Sequence, residues 1–389
     1  MTRDEAGFPV KGGARAPWSV ASVVILLALG AFLAAPAETK AQSSWSASGG
    51  AGVHFQYFDF SDPDAANLSS ISLVTVPVSA RVRAGGPFRV EAVTTFARGE
   101  LSRPGGENVT ISGLTDTQFR VLVDLLQDRV TLSAAVDVPT GADGFTAEEA
   151  GLAGAVAADL LPFRISSWGT GGGVGGGVSL FQPMGAFGLG LSVGYMAPGE
   201  FTPISDAEFQ YRPGPALRIQ GVVDYTVGQA GRAALQLGYH RYGDDEVEGQ
   251  NLFRTGDRLQ ARASYSFAAG TGGSAVVYAG YLHRSEGTFL EELEPRPSQG
   301  LMYAGAGLRH PMRGMVLVPT AELRIQRRDD GRDQGTLAGV GASLEIPVQQ
   351  IQVIPHFKLR GGSVQIRDGV DSGVLGVELG ASVRHGGSR

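Results

Sequence analysis

Glycine is concentrated in one short stretch whose spacing suggests phosphate binding. Residues 168–178 read WGTGGGVGGGV, and Gly171, Gly173 and Gly176 satisfy the pattern G-x-G-x-x-G. In a nucleotide-binding fold this pattern follows a strand and opens a helix, so that backbone amides meet the phosphates. Here the next residues, SLFQPMGAFG, have the character of a turn and a strand, and no Lys-Ser/Thr pair follows. The stretch therefore does not predict a nucleotide site.

Histidine and the acidic residues, which often serve in catalysis and metal binding, are present without a characteristic spacing. The chain has six histidines and no cysteine, and it contains neither an H-E-x-x-H sequence nor a histidine cluster with metal spacing. A lone histidine on the polar side of a strand is more often a hydrogen-bonding residue than a catalyst. We therefore expect no enzyme, no cofactor and no metal, although catalytic groups spread over distant strands would leave no motif.

The N-terminal segment has the features of an export signal. Basic residues precede an uncharged apolar run over residues 18–35, and small residues follow up to Ala41. A basic region, an apolar core and a small-residue cleavage site define a secretory signal peptide. The alternative is a retained membrane anchor, because the run is long enough to span a bilayer. We expect residues 1–41 to be a signal peptide and residues 42–389 to form the folded domain.

Apolar and polar residues alternate through most of the remaining chain, as in WSASGGAGVHFQY at residues 45–57. Successive side chains of a strand point to opposite faces, so each such segment predicts a half-apolar strand. Many segments are longer than the usual strand of a globular protein. Short turns such as residues 126–129 alternate with long polar loops such as residues 140–163. This pattern is typical of an outer-membrane β-barrel, whose strands direct apolar residues to lipid and polar residues to the lumen.

The number of strands depends on the stretch around Pro213 and Pro215. Apolar positions on both sides of these prolines keep the same parity, which favours one strand bent at the prolines. Because proline cannot donate to the ladder, the pairing should break there. With this assignment the chain predicts an all-β transmembrane antiparallel barrel of about 16 strands, with about 14 as the alternative.

Residues on the polar parity define the expected pore lining. They carry both signs of charge, which favours cross-strand pairs over a strongly ion-selective pore. Glycines on the inward parity of two neighbouring strands leave a wall without side chains. The pore-lining candidates are His54, Arg81, Arg83, Arg120, Asp124, Gly171, Gly173, Gly175, Gly188, Gly190, Arg262, Glu322, Arg324 and His356.

One segment of the longest loop has helical rather than strand periodicity. In FTAEEAGLAGAVAADLLP, Thr146 and Glu149 form a capping box ahead of apolar residues at helical spacing. Those apolar residues are Leu152, Val156 and Leu160. Burial of each would contribute roughly 1.5–3 kcal/mol. We predict that a helix over residues 146–160 folds into the lumen as a plug beside Gly171–Gly177. The alternative is a curved glycine wall with no partner.

The segment GLTDTQFRVLVDLLQDRVTLSAAVDVPTG at residues 113–141 resembles a known family of barrels. It is similar to the outer-membrane channels for hydrophobic compounds, namely the long-chain fatty-acid transporters and the barrels associated with phenol degradation. Their pattern is Gly-x-Gly-Asp, a hairpin, and then Leu/Val-Pro-Thr-Gly. Gly113, Asp116 and the VPTG at residues 138–141 match it, whereas Thr115 replaces the second glycine. The resemblance implies passive uptake of small apolar molecules, and it assigns no binding residue.

Together these features predict a passive channel in the outer membrane of a Gram-negative bacterium. Its cargo would be small apolar or mildly polar molecules, and its partner would be outer-membrane lipid. The alternative is a non-conducting barrel that serves as a surface scaffold or as a partner of a secretion system. A net charge of −6 gives no nucleic-acid footprint. The identity of the cargo, the oligomeric state and any catalytic role of a lumen histidine are not indicated.

Overall fold

The structure is a computed structural model. It describes residues 45–84, 86–106, 108–142, 144–205, 209–289, 295–367 and 369–385. The predicted signal peptide at residues 1–41 lies outside the described residues, as do residues 206–208 ahead of the two prolines.

Long antiparallel strands dominate the described chain, as the alternating pattern predicts. In chain order they are β1 (Trp45–Phe60), β2 (Ser70–Ala84), β3 (Phe88–Ser102), β4 (Asn108–Leu114), β5 (Thr117–Leu125), β6 (Val130–Val138), β7 (Gly173–Met184), β8 (Phe187–Pro198), β9 (Tyr211–Arg212), β10 (Ala216–Val227), β11 (Gly231–Tyr242), β12 (Asp244–Val247), β13 (Gln250–Arg254), β14 (Arg258–Ala268), β15 (Ser274–Arg284), β16 (Thr288–Phe289), β17 (Gln299–Met312), β18 (Met315–Arg328), β19 (Asp333–Val348), β20 (Ile351–Arg367) and β21 (Val370–His385).

The main sheet closes on itself, because β1 pairs with β2 on one side and with β21 on the other. Strands β4 and β5 share one position in the wall, since Phe96 of β3 pairs with Leu114 whereas Phe88 of β3 pairs with Val123. Counted over the described residues, the wall therefore has sixteen antiparallel positions. The predicted number is confirmed, and the alternative of fourteen is excluded. Closure pairs the first wall strand with the last, so neither is left as a sheet edge.

The prolines lie where the chain passes from a small second sheet into the wall. Strand β9 belongs to that second sheet with β12, β13 and β16, and β10 begins in the wall after Pro215. The backbone N–H of Gly214 donates to the buried Asp245 carboxylate at 2.6 Å. Asp245 also accepts from the Tyr211 hydroxyl at 2.7 Å. The chain is thus redirected by these contacts, and the expected single bent strand is replaced by two strands in different sheets.

Tyr211 is half-buried in this second sheet, outside the barrel wall. Burial, together with the hydrogen bond to Asp245, raises the pKa of its phenol above the ordinary value. The phenol therefore stays protonated at neutral pH and remains a donor to Asp245. This contact anchors the second sheet on the side of the barrel that carries the long loops, which we call the loop end. The opposite side is the turn end.

Large apolar side chains are exposed on the outer face of the wall. On β7 and β8 they occupy alternate positions, where Val174, Leu180, Leu191 and Tyr195 are all exposed. A contiguous apolar surface of this kind would be unfavourable in water and suits the hydrocarbon of a bilayer. The outward parity predicted from the sequence is therefore the lipid-facing parity of the barrel.

Two short helices interrupt the described strands: α1 (Pro63–Ala66) and α2 (Ala147–Val156). Helix α2 begins at the predicted capping box, in which Thr146 and Glu149 each accept a hydrogen bond from the other's backbone. It ends four residues earlier than predicted, because Ala157 closes it and Asp159 is held by contacts with the wall. No helix in the described part of the chain is long and apolar enough to cross a membrane.

The closed wall leads to a direct prediction of behaviour in detergent. Neighbouring wall strands are paired all the way around the barrel, so unfolding requires many backbone hydrogen bonds to break together. We expect unboiled protein to migrate differently from boiled protein on a denaturing gel, and to sediment with outer membranes. Identical migration together with recovery in the soluble periplasmic fraction would contradict a transmembrane barrel.

Candidate permeation path and lumen loop

The connection between β6 and β7, residues 139–172, turns into the barrel, and we call it the lumen loop. Its helix α2 buries Leu152 (0 % exposed) and Val156 (2 %). They join a cluster that includes inward-facing residues of the wall, among them Phe58 of β1, Ile71 of β2 and Ile111 of β4. These wall residues occupy the lumen parity yet are apolar. The lumen loop is therefore held by a hydrophobic surface on β1 to β4.

Trp168 fixes the returning half of the lumen loop. Its ring is fully buried, and its Nε1–H donates to the Ala97 carbonyl oxygen of β3 at 3.2 Å. A Cβ atom at Gly99, two residues along β3, would lie 2.9 Å from the indole ring. A Cβ atom at Gly335 of β19 would lie 2.5 Å from the side chain of Leu160. Single glycines at these two positions make room for the lumen loop.

The glycine-rich stretch at residues 168–178 has a different structural role. Gly171 and Gly172 have φ values of 74° and 75°, in the left-handed region, where the lumen loop turns back towards β7. Gly173 is the first residue of β7. A Cβ atom at Gly175 would lie 2.8 Å from the Tyr195 carbonyl oxygen of the adjacent strand. These glycines thus allow a tight turn and close strand packing.

The predicted position of the helix beside Gly171–Gly177 is therefore wrong. Helix α2 folds inward as expected, but it packs on β3 and β4. The physical reason is that β1 to β4 present apolar side chains for burial, whereas a bare glycine surface presents none. Gly188 and Gly190 of β8 lie near the inward Phe181 ring, and a Cβ atom at Gly188 would lie 3.1 Å from that ring.

Asp116 ties the two ends of the lumen loop together. It lies at the break between β4 and β5, where one oxygen accepts from the Gly141 N–H at 3.1 Å. The other oxygen accepts from the Thr170 N–H at 2.8 Å and from the Thr170 hydroxyl at 3.0 Å. The Thr140 hydroxyl also donates to the Thr115 carbonyl oxygen at 3.0 Å. In this chain, the Asp and the Thr-Gly of the family-like pattern therefore form the neck of the lumen loop.

A polar clamp holds the segment between α2 and Trp168. The amide of Gln56 on β1 donates to the Pro162 carbonyl oxygen at 2.8 Å and accepts from the Arg164 N–H at 3.0 Å. The Arg164 guanidinium binds Glu378 of β21, with Nη2 2.5 Å from Oε1. Gln56 and Glu378 are direct register partners across the β1–β21 pairing. One residue of the lumen loop therefore bridges the two strands that close the barrel.

The two lumen histidines lie beside this clamp. His54 Nδ1 is 3.4 Å from His356 Nε2, which in turn is 3.2 Å from Arg164 Nη2 and 3.4 Å from Glu378 Oε1. No serine completes this group in a hydrogen-bonded triad among the described contacts. No set of three metal-binding side chains in the described ranges is placed to hold an ion. The histidines therefore belong to the network that anchors the lumen loop.

One serine lies in a sequence typical of hydrolases, which the sequence reading missed. Residues 190–194 read GLSVG and match G-x-S-x-G. In a hydrolase the serine of this motif sits on a sharp turn from strand to helix. Ser192 instead lies within β8 and pairs with Ser179 and Gln220 on its two sides. The geometry of a nucleophile elbow is absent at this serine.

Several predicted pore-lining charges are paired across the turn-end half of the lumen. Arg81 lies 2.7 Å from Glu91. Asp124 lies 2.9 Å from Arg89 and 3.7 Å from Arg83. These pairs link neighbouring wall strands and balance their own charges, as the mixed signs in the sequence suggest.

Two further candidates lie among partners on β14 to β20. Glu322 lies 2.9 Å from Lys358 and 2.9 Å from Arg360. The guanidinium of Arg262 lies 4.9 Å from the centre of the Tyr278 ring. The aromatic face attracts the cation, and no carboxylate of the described residues forms an ion pair with Arg262.

Asp159, which the sequence did not single out, is bound by three arginines of the wall. Its carboxylate oxygens lie 2.9 Å from Arg258 Nη2 and 2.9 Å from Arg284 Nη2. Arg324 Nη2 donates to the Asp159 carbonyl oxygen at 2.7 Å. These arginines come from β14, β15 and β18, on the far side of the lumen from the hydrophobic surface of β1 to β4. The lumen loop therefore crosses the barrel.

Open space remains around the lumen loop in three cavities. The lower cavity, of about 900 Å³, lies at the turn end and is lined by residues that include His54, Val93 and Arg164. The upper cavity, of about 810 Å³, lies at the loop end, where Asp159 and Thr170 contribute to its lining. The middle cavity, of about 380 Å³, is lined by Val93, Asp116, Gln118, Arg120, Asp137, Ser167 and Thr170 among others.

The middle cavity shares lining residues with both of the others. It has Val93 in common with the lower cavity, and Gln118, Asp137 and Thr170 in common with the upper cavity. The three cavities therefore follow one another along the inner face of β3, β5 and β6, beside the lumen loop. The predicted candidate Arg120 faces the middle cavity and is exposed there.

The wall and its lumen define a transmembrane β-barrel with an inward loop. No known protein family matches the chain, and no curated protein matches it. Solved structures that it is similar to include OprB of Pseudomonas putida, at 10% identity and a TM-score of 0.49, over 88% of this chain and 93% of that one. OpdQ of Pseudomonas aeruginosa is similar at 11% identity and a TM-score of 0.47, over 87% and 98%.

An anion-selective porin from Comamonas acidovorans is similar at 12% identity and a TM-score of 0.41, over 87% of this chain and 99% of that one. At these scores the similarity carries no argument about function. With no family match, the resemblance of residues 113–141 to the fatty-acid transporters stays a prediction.

Proposed function

We propose that the protein is a passive channel of the outer membrane that admits small solutes past the lumen loop. The observation that carries this proposal is the series of three cavities, in which the middle cavity shares lining residues with the two larger ones. A barrel of this strand number is wide enough to hold an aqueous channel. The apolar outer face supports insertion in a bilayer, and the long loops would then face the outside.

The lining supports the mildly polar part of the expected cargo more than the apolar part. The apolar wall residues Phe58 and Leu73 are buried beneath the lumen loop, whereas Val93 lines the lower and middle cavities. The upper cavity is lined by many amide and guanidinium groups. They belong to Gln118, Arg218, Arg258, Arg284, Arg296, Gln299, Gln326, Gln334 and Gln365.

A blocking experiment tests the channel and separates it from a non-conducting scaffold. The chain has no native cysteine, so Ser167→Cys would place one thiol in the middle cavity. We expect single-channel currents in planar bilayers from this variant. A bulky, uncharged methanethiosulfonate reagent should lower them strongly, because it fills the smallest of the three cavities, and a reductant should restore them.

Ser79→Cys is the matched control, because Ser79 lines the larger lower cavity. Its labelling, verified by mass, should lower the current much less. Absence of current from every variant would favour the scaffold. If the Ser167→Cys protein is shown to be labelled and still conducts fully, the permeation path does not pass through the middle cavity.

A further inference from the structure

We propose that the upper cavity holds a binding site for small organic carboxylates. In the structure the Asp159 carboxylate of the lumen loop is bound to the arginine side chains that such a ligand would use. The proposal rests on the channel function and narrows its cargo. The site is formed by the guanidinium groups of Arg258 and Arg284, which the wall directs at the Asp159 carboxylate.

The contacts of Asp159 have the geometry by which arginine binds a free carboxylate. Arg258 Nη2 lies 2.9 Å from one carboxylate oxygen, and Arg284 Nη2 lies 2.9 Å from the other. Charge-assisted bonds of this length are about twice as strong as neutral ones, and guanidinium matches the planar carboxylate. Asp159 keeps some exposure of its side chain to the cavity, at 15%. A solute carboxylate can therefore compete for the same donors.

Positive charge in this cavity exceeds what Asp159 balances. Arg218 and Arg296 line the same cavity, and no carboxylate of the described residues forms an ion pair with either. The guanidinium groups of Arg218 and Arg296 are therefore available to a second anion in the cavity.

The other carboxylates of the cavity are committed elsewhere. Asp137 accepts from the Gln118 amide at 2.7 Å. Asp245 accepts from the Tyr211 hydroxyl and from the Gly214 N–H. Neither carboxylate is paired with an arginine of the cavity in the described contacts, so neither fills the site.

The size and the remaining lining indicate the class of ligand. A cavity of about 810 Å³ falls in the range that holds a small molecule. The amide of Gln326 donates to the Gln299 oxygen at 3.0 Å and to the Gln334 oxygen at 3.2 Å, which leaves other amide groups of this cluster for a ligand. A monocarboxylate that carries hydroxyl or ring groups fits this mixture of guanidinium and amide groups.

Binding of benzoate to the purified barrel in detergent, measured by calorimetry, tests the site. Benzamide, which has the same shape without the charge, is the reference ligand. We expect benzoate to bind at least about tenfold more tightly than benzamide, because only the anion gains charge-assisted bonds. Asp159→Asn removes the internal competitor and should tighten benzoate binding by about a further tenfold. Arg258→Gln combined with Arg284→Gln should weaken it by at least as much.

Asp244→Asn is the matched control, because Asp244 pairs with Arg254 in the second sheet and does not line the cavity. It should leave benzoate binding unchanged. Equal affinities for benzoate and benzamide, or an Asp159→Asn variant with unaltered affinity, would overturn the proposal. Because the calorimetry needs no current, a barrel that binds benzoate without conducting would contradict the channel alone. A barrel that conducts without preferring benzoate would contradict the site alone.

Discussion

Replacing residues 145–165 of the lumen loop by a short Gly-Ser linker is expected to raise single-channel conductance several-fold. The deleted segment contains α2 and crosses the lumen from the hydrophobic surface of β1 to β4 to the arginines that bind Asp159. Without it, a barrel of this size encloses a continuous aqueous channel. A short linker can rejoin the ends, because Gly141 and Thr170 both bind Asp116.

Shortening the tip of the β12–β13 hairpin at residues 247–250 is the control for this deletion, since it also removes loop residues but none that line the three cavities. Its conductance should equal that of the unaltered protein. If the deletion of residues 145–165 gave the same conductance as the full chain, the lumen loop would not be the constriction.

Trp168→Ala is expected to release the lumen loop while the wall stays closed. The ring is fully buried and donates a hydrogen bond to β3, so its truncation should destabilise the docked loop by about 3–5 kcal/mol. Reaction of a cysteine at Val156 with a bulky thiol reagent measures the change. Val156 is 2% exposed, so Val156→Cys should react slowly in an otherwise unaltered protein and readily when combined with Trp168→Ala.

Two variants calibrate this measurement. Gly151→Cys lies on the exposed side of α2 and should react readily in every background. Trp45→Ala removes an indole that is 64% exposed, and it should leave Val156→Cys protected. Equal reactivity of Val156→Cys with and without Trp168 would show that other contacts are sufficient to hold the lumen loop.

The wall was predictable because a strand repeats every two residues. Val53 and Phe55 face outward and His54 and Gln56 face inward, as their alternation predicts. The same rule also places Phe58 in the lumen, where an apolar residue is unexpected. That residue indicates a docking surface inside the lumen. Apolar residues on the lumen parity were therefore the available signal for where the lumen loop packs.

The partners inside the lumen were not predictable from the sequence. The alternation of inward and outward residues places Arg258 and Arg284 on the lumen face. It does not give the level along the barrel axis at which each side chain lies. That level depends on the register of every preceding strand pair and on the tilt of the strands. Gly99 is likewise a lone glycine with no surrounding pattern, yet it is the position at which the Trp168 ring packs on the wall. The glycine content shows where the wall lacks side chains, but it does not show which segment fills the space next to the wall.

The contacts of Arg164 have a consequence for the order of assembly. Gln56 lies on the first wall strand and Glu378 on the last, so the pair that binds Arg164 forms only when the two ends of the chain meet. A barrel in which β1 paired with β21 before the lumen loop entered would leave Glu378 without its Arg164 partner. A loop that is already inside presents that partner to both approaching strands. The docked lumen loop thus links the two strands of the closing seam, and variants that weaken it are expected to delay maturation in the membrane before they alter transport.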